Sequence, residues 1–422
     1  MNKHVALLFC MIIFLAFAFG CQNKTVEEKP TSELVIFSWW TAGGEADGLN
    51  ELIKLFEEKN QDIKIVNAAV AGGAGTNAKA VLKIRMLGGD APGTFQVHGG
   101  SELIDGWVKA GHMAPITKII DDNGWRDKFP EKLLEMVSYE GEIYAIPSNV
   151  HRGNALWYNK AILDKVGLKP PETIDELFDA CEKLKAAGVI PLSLASRNKW
   201  PVLHLFENLL VAAGGDQFYF DLFAGKIPWT DDRVKKALGI LKKLLPYVNA
   251  DHAGLTWDQA SGMVLQGKAA MNVMGDWAKG YYQSNNWIAG KDYDAVPTPG
   301  TVGRFFVITD TFGMPLKAPN KEATLKFLKV IASPEGQAVF NPRKGSIPAR
   351  TDVPMDNFDL IAKQIMEDFK KDKLIPSCAH GSAVGEAFVI SLNFQLSVFL
   401  TEQDIDKTAE AIQAEAKDLG II

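Results

Sequence analysis

Four tryptophans stand where expected strands end or expected helices begin: Trp39, Trp40, Trp257 and Trp277. The flat apolar face of an indole stacks on the apolar face of a pyranose ring, which makes such positions candidates for carbohydrate contact. For any one of these tryptophans, the alternative to carbohydrate contact is that the side chain fills the hydrophobic core. Neighbouring residues along a strand point to opposite faces, so Trp39 and Trp40 cannot both face one site. We expect Trp40 to face the site and Trp39 to lie in the core.

Polar side chains that suit the hydroxyl groups of a sugar stand at other strand ends. Gln96 and His98 end the third expected strand, Asp310 follows an apolar strand, and His380 lies in a loop. Carboxylate, amide and imidazole groups all hydrogen-bond hydroxyls. We therefore expect these four side chains to hold the edge of a neutral sugar, while His151 is assigned either to the site or to a hinge.

The segment 73–78, Gly-Ala-Gly-Thr-Asn-Ala, matches the Gly-x-Gly-x-x-Ala fingerprint of dinucleotide-binding proteins. It follows the second expected strand rather than the first. The next strand ends in Gln96 and His98, where an acidic residue would be needed to bind the ribose. We favour a glycine turn that lets a ligand approach the backbone near Gly73, with a plain tight turn as the alternative.

The chain also has three carboxylates that could act in catalysis, those of Glu45, Asp276 and Asp310, so a carbohydrate-active enzyme must be considered. Glycoside hydrolases use two carboxylates that are ~5 Å apart in retaining enzymes and ~6.5–9.5 Å apart in inverting ones. Because sequence does not give that distance, a secreted carbohydrate-active enzyme is the alternative to a binding protein. Glu45 and Asp276 also have simpler explanations, since Glu45 suits the first turn of a helix and Asp276 can cap the helix of Trp277.

These residues share one edge only if the elements that carry them alternate between strand and helix. Apolar runs at 34–37, 63–70 and 94–98 are typical of strands buried in a parallel sheet, and an amphipathic helical pattern follows each. Ligands bind at the carboxyl ends of such strands. The alternation predicts an α/β fold with an open parallel sheet, and the second half of the chain repeats it with a different layout.

Composition excludes several classes of protein. The chain has 422 residues, 47% hydrophobic and 23% charged, with a formal net charge of −6. At ~150 residues per domain, this length predicts two or three domains. No long basic block is present in the sequence, so we expect neither a nucleic-acid partner nor polybasic attraction to a membrane.

The N-terminal residues have the pattern of an export signal. Lys3 precedes an apolar run from 5 to 19 that is too short for a spanning helix. Gly20 and Cys21 resemble the cleavage site of a bacterial lipoprotein, in which Cys21 carries the lipid; a soluble secreted protein is the alternative. We expect residues 1–21 to be signal and anchor, residues 22–33 to be a linker, and the location to be the periplasm or the outer face of the membrane.

Beyond that signal only Cys181 and Cys378 remain, too few for a disulfide framework. Cys181 lies on an apolar helical face and is expected to be a buried, inert thiol. The cysteines and the 7 histidines show no paired spacing suited to zinc. We therefore expect no metal and no cofactor.

Several segments taken together resemble one family. They are Tyr-Ala-Ile-Pro at 144–147, Trp-Tyr-Asn-Lys at 157–160, Gln-Gly-Lys-Ala-Ala-Met at 266–271 and Met-Gly-Asp-Trp at 274–277. This pattern resembles the extracellular solute-binding proteins of bacterial ABC sugar importers, over essentially the whole chain after Cys21. A further set of segments resembles the glucose-binding branch of that family: 71–75, 96–98, 256–257, 341–347 and 380–381.

The resemblance implies a two-lobed periplasmic-binding-protein fold with discontinuous lobes that close about a hinge. The expected N-terminal lobe is 34–145 with 305–343, and the C-terminal lobe is 146–304 with 344–422. The implied protein is not an enzyme. It is a lipid-anchored monomer that captures glucose or a related monosaccharide and delivers it to an ABC permease. The implied ligand-binding residues are Trp40, Glu45, Gly73, Gln96, His98, Trp257, Trp277, Asp310, Lys344 and His380.

Overall fold

The computed structural model describes residues 32–422. The expected signal, the Cys21 anchor and most of the expected linker lie outside these residues. Ser32 and Glu33, which we assigned to the linker, already belong to the first strand. In the described part of the chain, no helix is both long and apolar enough to span a bilayer.

The described chain alternates strands with helices. The strands are β1 Ser32–Phe37, β2 Ile63–Asn67, β3 Thr94–His98, β4 Met113–Ala114, β5 Ser138–Tyr139, β6 Glu142–Ile143, β7 Ala145–Pro147, β8 His151–Arg152, β9 Ala155–Asn159, β10 Ile190–Ser193, β11 Ala269–Val273, β12 Tyr293–Pro297, β13 Arg304–Ile308, β14 Asp310–Pro315 and β15 Lys373–Pro376.

The helices range from a single turn to 24 residues. They are α1 Gly43–Lys59, α2 Ala78–Leu87, α3 Ser101–Leu103, α4 Thr117–Asp122, α5 Glu131–Glu135, α6 Lys160–Val166, α7 Ile174–Ala186, α8 Trp200–Phe223, α9 Asp232–Leu244, α10 Trp257–Leu265, α11 Trp277–Ser284, α12 Lys321–Ala332, α13 Pro334–Lys344, α14 Leu360–Lys371, α15 Glu386–Glu402 and α16 Ile405–Asp418.

The first sheet has the order β2-β1-β3-β14-β4, with β7 also paired to β14. Strand β1 is parallel to both β2 and β3, as expected. Strand β14 comes from much later in the chain and runs antiparallel to β3, with Asp310 opposite His98 and Phe312 opposite Gln96. The sheet is therefore mixed rather than purely parallel. The late strand brings Asp310 beside His98, although 212 positions of sequence separate them.

Two other sheets build the second half of the molecule, in the orders β10-β11-β9-β12 and β15-β13-β8. Strand β13 pairs with β8 and β15 and not with the first sheet, whereas β7 pairs with β14 of the first sheet. The expected boundaries at 145/146 and 304/305 therefore need correction, because a strand belongs to the sheet that satisfies its backbone hydrogen bonds.

We place the crossings between the two halves at 148–150, at Thr309 and at 345–347, where an isolated bridge joins Val150 to Ile347. The first lobe is then 32–147 with 310–344, and the second lobe is 151–308 with 348–422. The three crossing segments lie side by side, so a small change in their backbone angles can move one lobe against the other.

The second lobe has a core of its own that includes Leu177, Cys181 and Leu184 on one face of α7. Thr173 and Glu176 form the expected capping box at the start of that helix. Cys181 is fully buried, and its burial raises the pKa of the thiol to about 12. The expectation of a buried thiol is confirmed, and the raised pKa of Cys181 agrees with the expectation that it is inert.

Candidate functional site

A small cavity has walls from both lobes. The first lobe contributes side chains that follow β1, end β3 or begin β14, and the second lobe contributes the starts of α8, α10 and α11. The lining residues are Trp39, Glu45, Ala74, His98, His151, Trp200, Trp257, Trp277, Ile308, Asp310, Lys344 and His380. Seven of the ten residues that the resemblance implied are among them, and Trp40, Gly73 and Gln96 are not.

Trp39 and Trp40 take the reverse of their expected places. Trp40 is 1% exposed, and its ring packs 5.6 Å from that of Phe312 and 5.1 Å from that of Phe340. Trp39 lines the cavity, with its ring 5.0 Å from that of His98. The sequence rule that only one of the pair faces the site holds. The choice between them depends on α13, which carries Phe340 and covers Trp40.

Gln96 positions other groups of the site instead of lining it. Its Nε2 donates to Asp310 Oδ1 at 2.7 Å, and its Oε1 accepts the backbone N–H of Trp39 at 3.1 Å. Gln96 is 1% exposed. It therefore ties the end of β1 to the start of β14, and the expectation of a side chain at the cavity wall is corrected.

Asp310 is the most heavily connected carboxylate of the cavity. Its Oδ2 accepts from Asn149 Nδ2 at 2.8 Å and lies 3.9 Å from Lys344 Nζ. Burial by itself would raise the pKa of Asp310. Lys344, His151 and His98 together nevertheless hold that pKa well below its usual range. Asp310 is thus a fixed negative charge in the wall of the cavity.

Asp276 does not cap α11, although we expected it to, since its side chain accepts no capping hydrogen bond there. Its Oδ2 accepts the backbone N–H of Arg152 at 3.1 Å, and its Oδ1 contacts His151 Nδ1. Burial and Lys344 oppose protonation of His151. Asp276 and Asp310 outweigh them and raise the pKa of His151. His151 directly follows the crossing at 148–150 and lines the cavity, so its position is compatible with both of its suggested roles.

Lys344 joins the end of α13 to the start of α1. Its Nζ lies 2.8 Å from Glu45 Oε1, and only 2% of its side chain is exposed. Glu45 also occupies the first turn of α1, where the helix dipole favours a negative charge. Both suggested roles of Glu45 are therefore compatible. The buried positive charge of Lys344 is balanced by the two carboxylates on either side of it, those of Glu45 and Asp310.

His98 is held by a pair of charges that the sequence did not reveal. Its Nδ1 donates to Glu102 Oε2 at 2.8 Å, and Lys79 Nζ contacts the same oxygen at 2.7 Å. Burial by itself would raise the pKa of Glu102, but Lys79 and His98 lower it. Nδ1 is engaged by Glu102, and Nε2 of His98 lies 3.7 Å from Asp310 Oδ1, beyond hydrogen-bond distance. The spacing of His98 and Glu102, four residues, is the only sequence signal that could have suggested the pair.

Gly73 lies next to the cavity, in an adjoining part of the cleft that Trp39 and Trp257 also line, and its lack of a side chain is needed for packing there. It belongs to a 3₁₀ turn, Gly73–Gly75. A Cβ at Gly73 would lie 2.6 Å from Trp257 Cδ1, far inside contact distance. The absence of a side chain at Gly73 therefore seats the Trp257 indole, which lines the cavity.

Trp200 is a wall residue that we had not placed from sequence. Its ring lies 6.0 Å from that of Trp277 and 5.5 Å from that of His380, and the Trp277 and His380 rings are 5.0 Å apart. Pro201 follows Trp200 at the first turn of α8. That proline marks a helix start, and it was the available signal that Trp200 stands at an element end like the other tryptophans.

Three buried side chains, His204, Glu207 and His380, have the atom types that a metal ion would need, all within 4.8 Å of one another. Glu207 Oε1 accepts from Ser377 Oγ at 2.8 Å, and His380 Nδ1 lies 2.9 Å from the same hydroxyl. These hydrogen bonds occupy Glu207 and one nitrogen of His380, whereas both ring nitrogens of the buried His204 lack a hydrogen-bond partner in the described residues. Sequence spacing did not suggest this grouping.

The carboxylates considered for glycoside hydrolysis are all engaged by positive or donor groups. Glu45 contacts Lys344, Asp276 accepts from Arg152, and Asp310 accepts from Gln96 and Asn149. A general acid needs a raised pKa so that it carries a proton near neutral pH. The pKa of Asp310 is lowered instead of raised, so Asp310 does not carry a proton near neutral pH and does not suit the role of general acid.

Two lobes joined by three crossing segments, with a cavity between them, define the binding-protein class of α/β folds. The solved bacterial solute receptor AcbH, described as having an exclusive substrate preference for β-D-galactopyranose, has this fold. It superposes with a TM-score of 0.83 at 18% identity, covering 92% of this chain and 99% of AcbH. The chain belongs to the family of bacterial extracellular solute-binding proteins, which matches residues 42–338.

Two relatives match nearly the whole chain. An uncharacterized ABC transporter extracellular-binding protein of Pyrococcus horikoshii is 43% identical, covering 98% of this chain and 96% of the relative. A probable sugar-binding periplasmic protein of Brucella suis is 36% identical, covering 93% of this chain and 94% of the relative. The family and both relatives are described as binding proteins.

Proposed function

We propose that the protein captures glucose or a closely related monosaccharide between its lobes and presents it to an ABC permease. The observation that carries this proposal is the cavity walled by four indoles, those of Trp39, Trp200, Trp257 and Trp277. Indole faces cover the apolar faces of a pyranose ring.

Ionised and imidazole groups stand between the indoles. Asp310 and the Lys344–Glu45 pair supply charge-assisted hydrogen bonds to hydroxyls, and His98 and His380 supply ring nitrogens. The Brucella suis relative, a probable sugar-binding protein, supports a sugar as the class of ligand. The resemblance of segments such as 96–98 and 341–347 to the glucose-binding branch supports glucose among sugars.

Closure of the two lobes completes the binding site, because each lobe carries part of it. Trp39 and Asp310 belong to the first lobe, whereas Trp257, Trp277 and His380 belong to the second, so a sugar makes all of its contacts only when the lobes are together. A ligand with more contacts in the closed form shifts the population toward that form. The closed form is then the signal that the permease reads, and the sugar leaves chemically unchanged.

We also propose that Cys21 carries a lipid, so that a monomeric receptor stays at the cell envelope near its permease. The small residue before Cys21 and the polar stretch after it support this anchor. Mass spectrometry of the membrane-extracted protein tests it. The expected result is a chain that begins at a diacylated Cys21, and a soluble chain of unmodified mass would contradict it. Size-exclusion chromatography with light scattering tests the monomer.

Isothermal titration calorimetry of the chain after Cys21 tests the ligand. A panel of glucose, galactose, mannose, xylose, maltose and cellobiose should show tight binding of glucose or of a stereoisomer and weaker binding of the disaccharides. Absence of binding across the panel would overturn the proposal. Incubation with oligosaccharides gives a second reading, because release of reducing ends would favour the enzyme instead.

A further inference from the structure

The immediate neighbours of His380 determine what kind of sugar group it can bind. We propose that Ser377 and Glu207 are positioning residues that fix the proton of His380 on Nδ1. His380 Nε2 is then left as a hydrogen-bond acceptor for one donating hydroxyl of the sugar. The inference rests on the proposed function, because it concerns the same cavity, and it adds which way one hydrogen bond to the sugar must run.

Glu207 is a fully buried carboxylate on α8, and its neighbours show that it acts as a hydrogen-bond acceptor. The backbone N–H groups of Cys378 and Ala379 donate to its Oε2, at 2.7 and 3.1 Å. Ser377 Oγ lies 2.8 Å from its Oε1. Backbone amides can only donate, so both contacts to Oε2 require an acceptor there. A carboxylate accepts at both oxygens and thereby holds the loop that carries His380.

Ser377 has one hydroxyl proton and two neighbours that compete for it. Glu207 Oε1 is 2.8 Å away and His380 Nδ1 is 2.9 Å away. A carboxylate accepts more strongly than a neutral imidazole nitrogen, so the Ser377 proton is directed to Glu207. The lone pairs of Ser377 Oγ then face His380. The contact at 2.9 Å is a hydrogen bond only if Nδ1 carries the proton and donates it.

The second ring nitrogen of His380 is free of protein partners within residues 32–422, where its only hydrogen bond is at Nδ1. His380 is 2% exposed and lines the cavity. Burial, with His204, His98 and Lys79 nearby, lowers the pKa of His380 well below its ordinary value, although Asp310 acts in the other direction. The ring therefore holds a single proton, and that proton is already placed on Nδ1.

This arrangement predicts which sugar analogues fail. A hydroxyl that meets His380 Nε2 must donate, so replacing it by fluorine, which cannot donate, removes the bond. The replacement also leaves the buried acceptor, His380 Nε2, without a donor. In contrast, a hydroxyl that meets Lys344 only accepts, because an ammonium group only donates. The analogue whose binding is weakened by the loss of the hydrogen bond to His380 is the one whose affinity relative to glucose changes when Ser377 is replaced.

Calorimetry with glucose and the set of monodeoxyfluoroglucoses tests the inference on the unaltered chain and on variants. One fluorinated position should bind about tenfold more weakly than glucose to the unaltered protein, as expected for a buried acceptor left without its donor. In Ser377→Ala and Glu207→Gln the difference between that analogue and glucose should shrink below about threefold. The remaining analogues should keep their ratios to glucose. In Glu207→Gln the amide can donate to Ser377, which frees the serine proton for His380 Nδ1.

Nitrogen-15 NMR of the histidine rings gives a readout that needs no sugar. The unaltered protein should show His380 protonated at Nδ1 and bare at Nε2, and Glu207→Gln should reverse that pattern. His380→Ala identifies the resonance, and circular dichroism shows that each variant is folded.

The outcomes separate the inference from the proposed function. A proton on Nε2 in the unaltered protein, or unchanged analogue ratios in both variants, overturns the assignment while sugar binding stands. Glucose binding that His380→Ala leaves unaltered overturns the site. If no sugar binds at all, the proposed function fails, and the NMR pattern alone decides where the proton lies.

Discussion

His151 Nε2 lies 3.2 Å from Asp310 Oδ2, and the two residues begin strands in different lobes. His151 opens β8 of the second lobe, and Asp310 opens β14 of the first. Both also line the cavity. The contact therefore joins the wall of the site to the crossing segments, so that separation of the lobes and loss of the site geometry are coupled through one pair of side chains.

The first prediction concerns pH and this pair. Asp276 and Asp310 raise the pKa of His151 in the folded protein. Its contribution to stability is then fully present below the unfolded pKa of ~6.5 and is lost as the pH rises through the raised folded value. The free energy of unfolding should fall above pH ~6.5 more steeply in the unaltered protein than in His151→Gln. Urea denaturation followed by circular dichroism at several pH values measures this, and parallel profiles would contradict it.

The second prediction is that Asp276→Asn strongly destabilises the protein. It removes the charge that faces His151 in a fully buried contact, and breaking one partner of a buried pair costs about 3–5 kcal/mol. Asp122→Asn is the matched control, because Asp122 pairs with Lys118 on the surface, where such pairs contribute about 0–1 kcal/mol. Chemical denaturation at pH 6 should separate the two variants clearly, and equal losses would show that burial of the pair does not matter.

The third prediction uses the adjacent tryptophans as controls for each other. Trp40→Ala should lower the free energy of unfolding by about 3–5 kcal/mol, because it empties a core site against Phe312 and Phe340. Trp39→Ala should weaken sugar affinity by at least about tenfold, because it removes a cavity wall. Calorimetry and thermal unfolding on both variants give the comparison. If Trp40→Ala had the larger effect on affinity, the assignment of the pair would be reversed again.

The fourth prediction concerns the packing of Gly73 on Trp257. Gly73→Ala should weaken sugar affinity by about tenfold, since the new methyl group would displace the Trp257 indole from the cavity wall. Gly106→Ala is the control, because a Cβ at Gly106 would meet no heavy atom within 4 Å. Calorimetry on both variants measures the difference. An unaltered affinity in Gly73→Ala would show that Trp257 can be displaced without loss of the ligand.

Local rules predicted the elements and their ends well. The apolar run at 34–37, the capping box of Thr173 and Glu176, and the apolar face around Cys181 appear as a strand, a helix start and a buried thiol. These features depend on neighbours within a turn or two, and sequence spacing reports such neighbours directly.

Pairing between distant segments was predicted poorly. We expected β13 in the first lobe and a parallel sheet throughout, whereas β13 joins the second lobe and β14 enters the first sheet antiparallel. Several strands of similar apolar character could occupy these places. The choice among them depends on hydrogen bonds between residues more than a hundred positions apart.

The sequence by itself determined the family, the alternation of strand and helix, and seven of the side chains that line the cavity, because each is encoded in a short motif at the end of an element. Tertiary structure alone decided that Trp39 faces the cavity, that Gln96 holds Asp310, and that Glu207 and Ser377 lie behind His380. The physical reason is that a side chain's partners across lobes and sheets are set by packing and by buried hydrogen bonds, which leave no periodic trace along the chain.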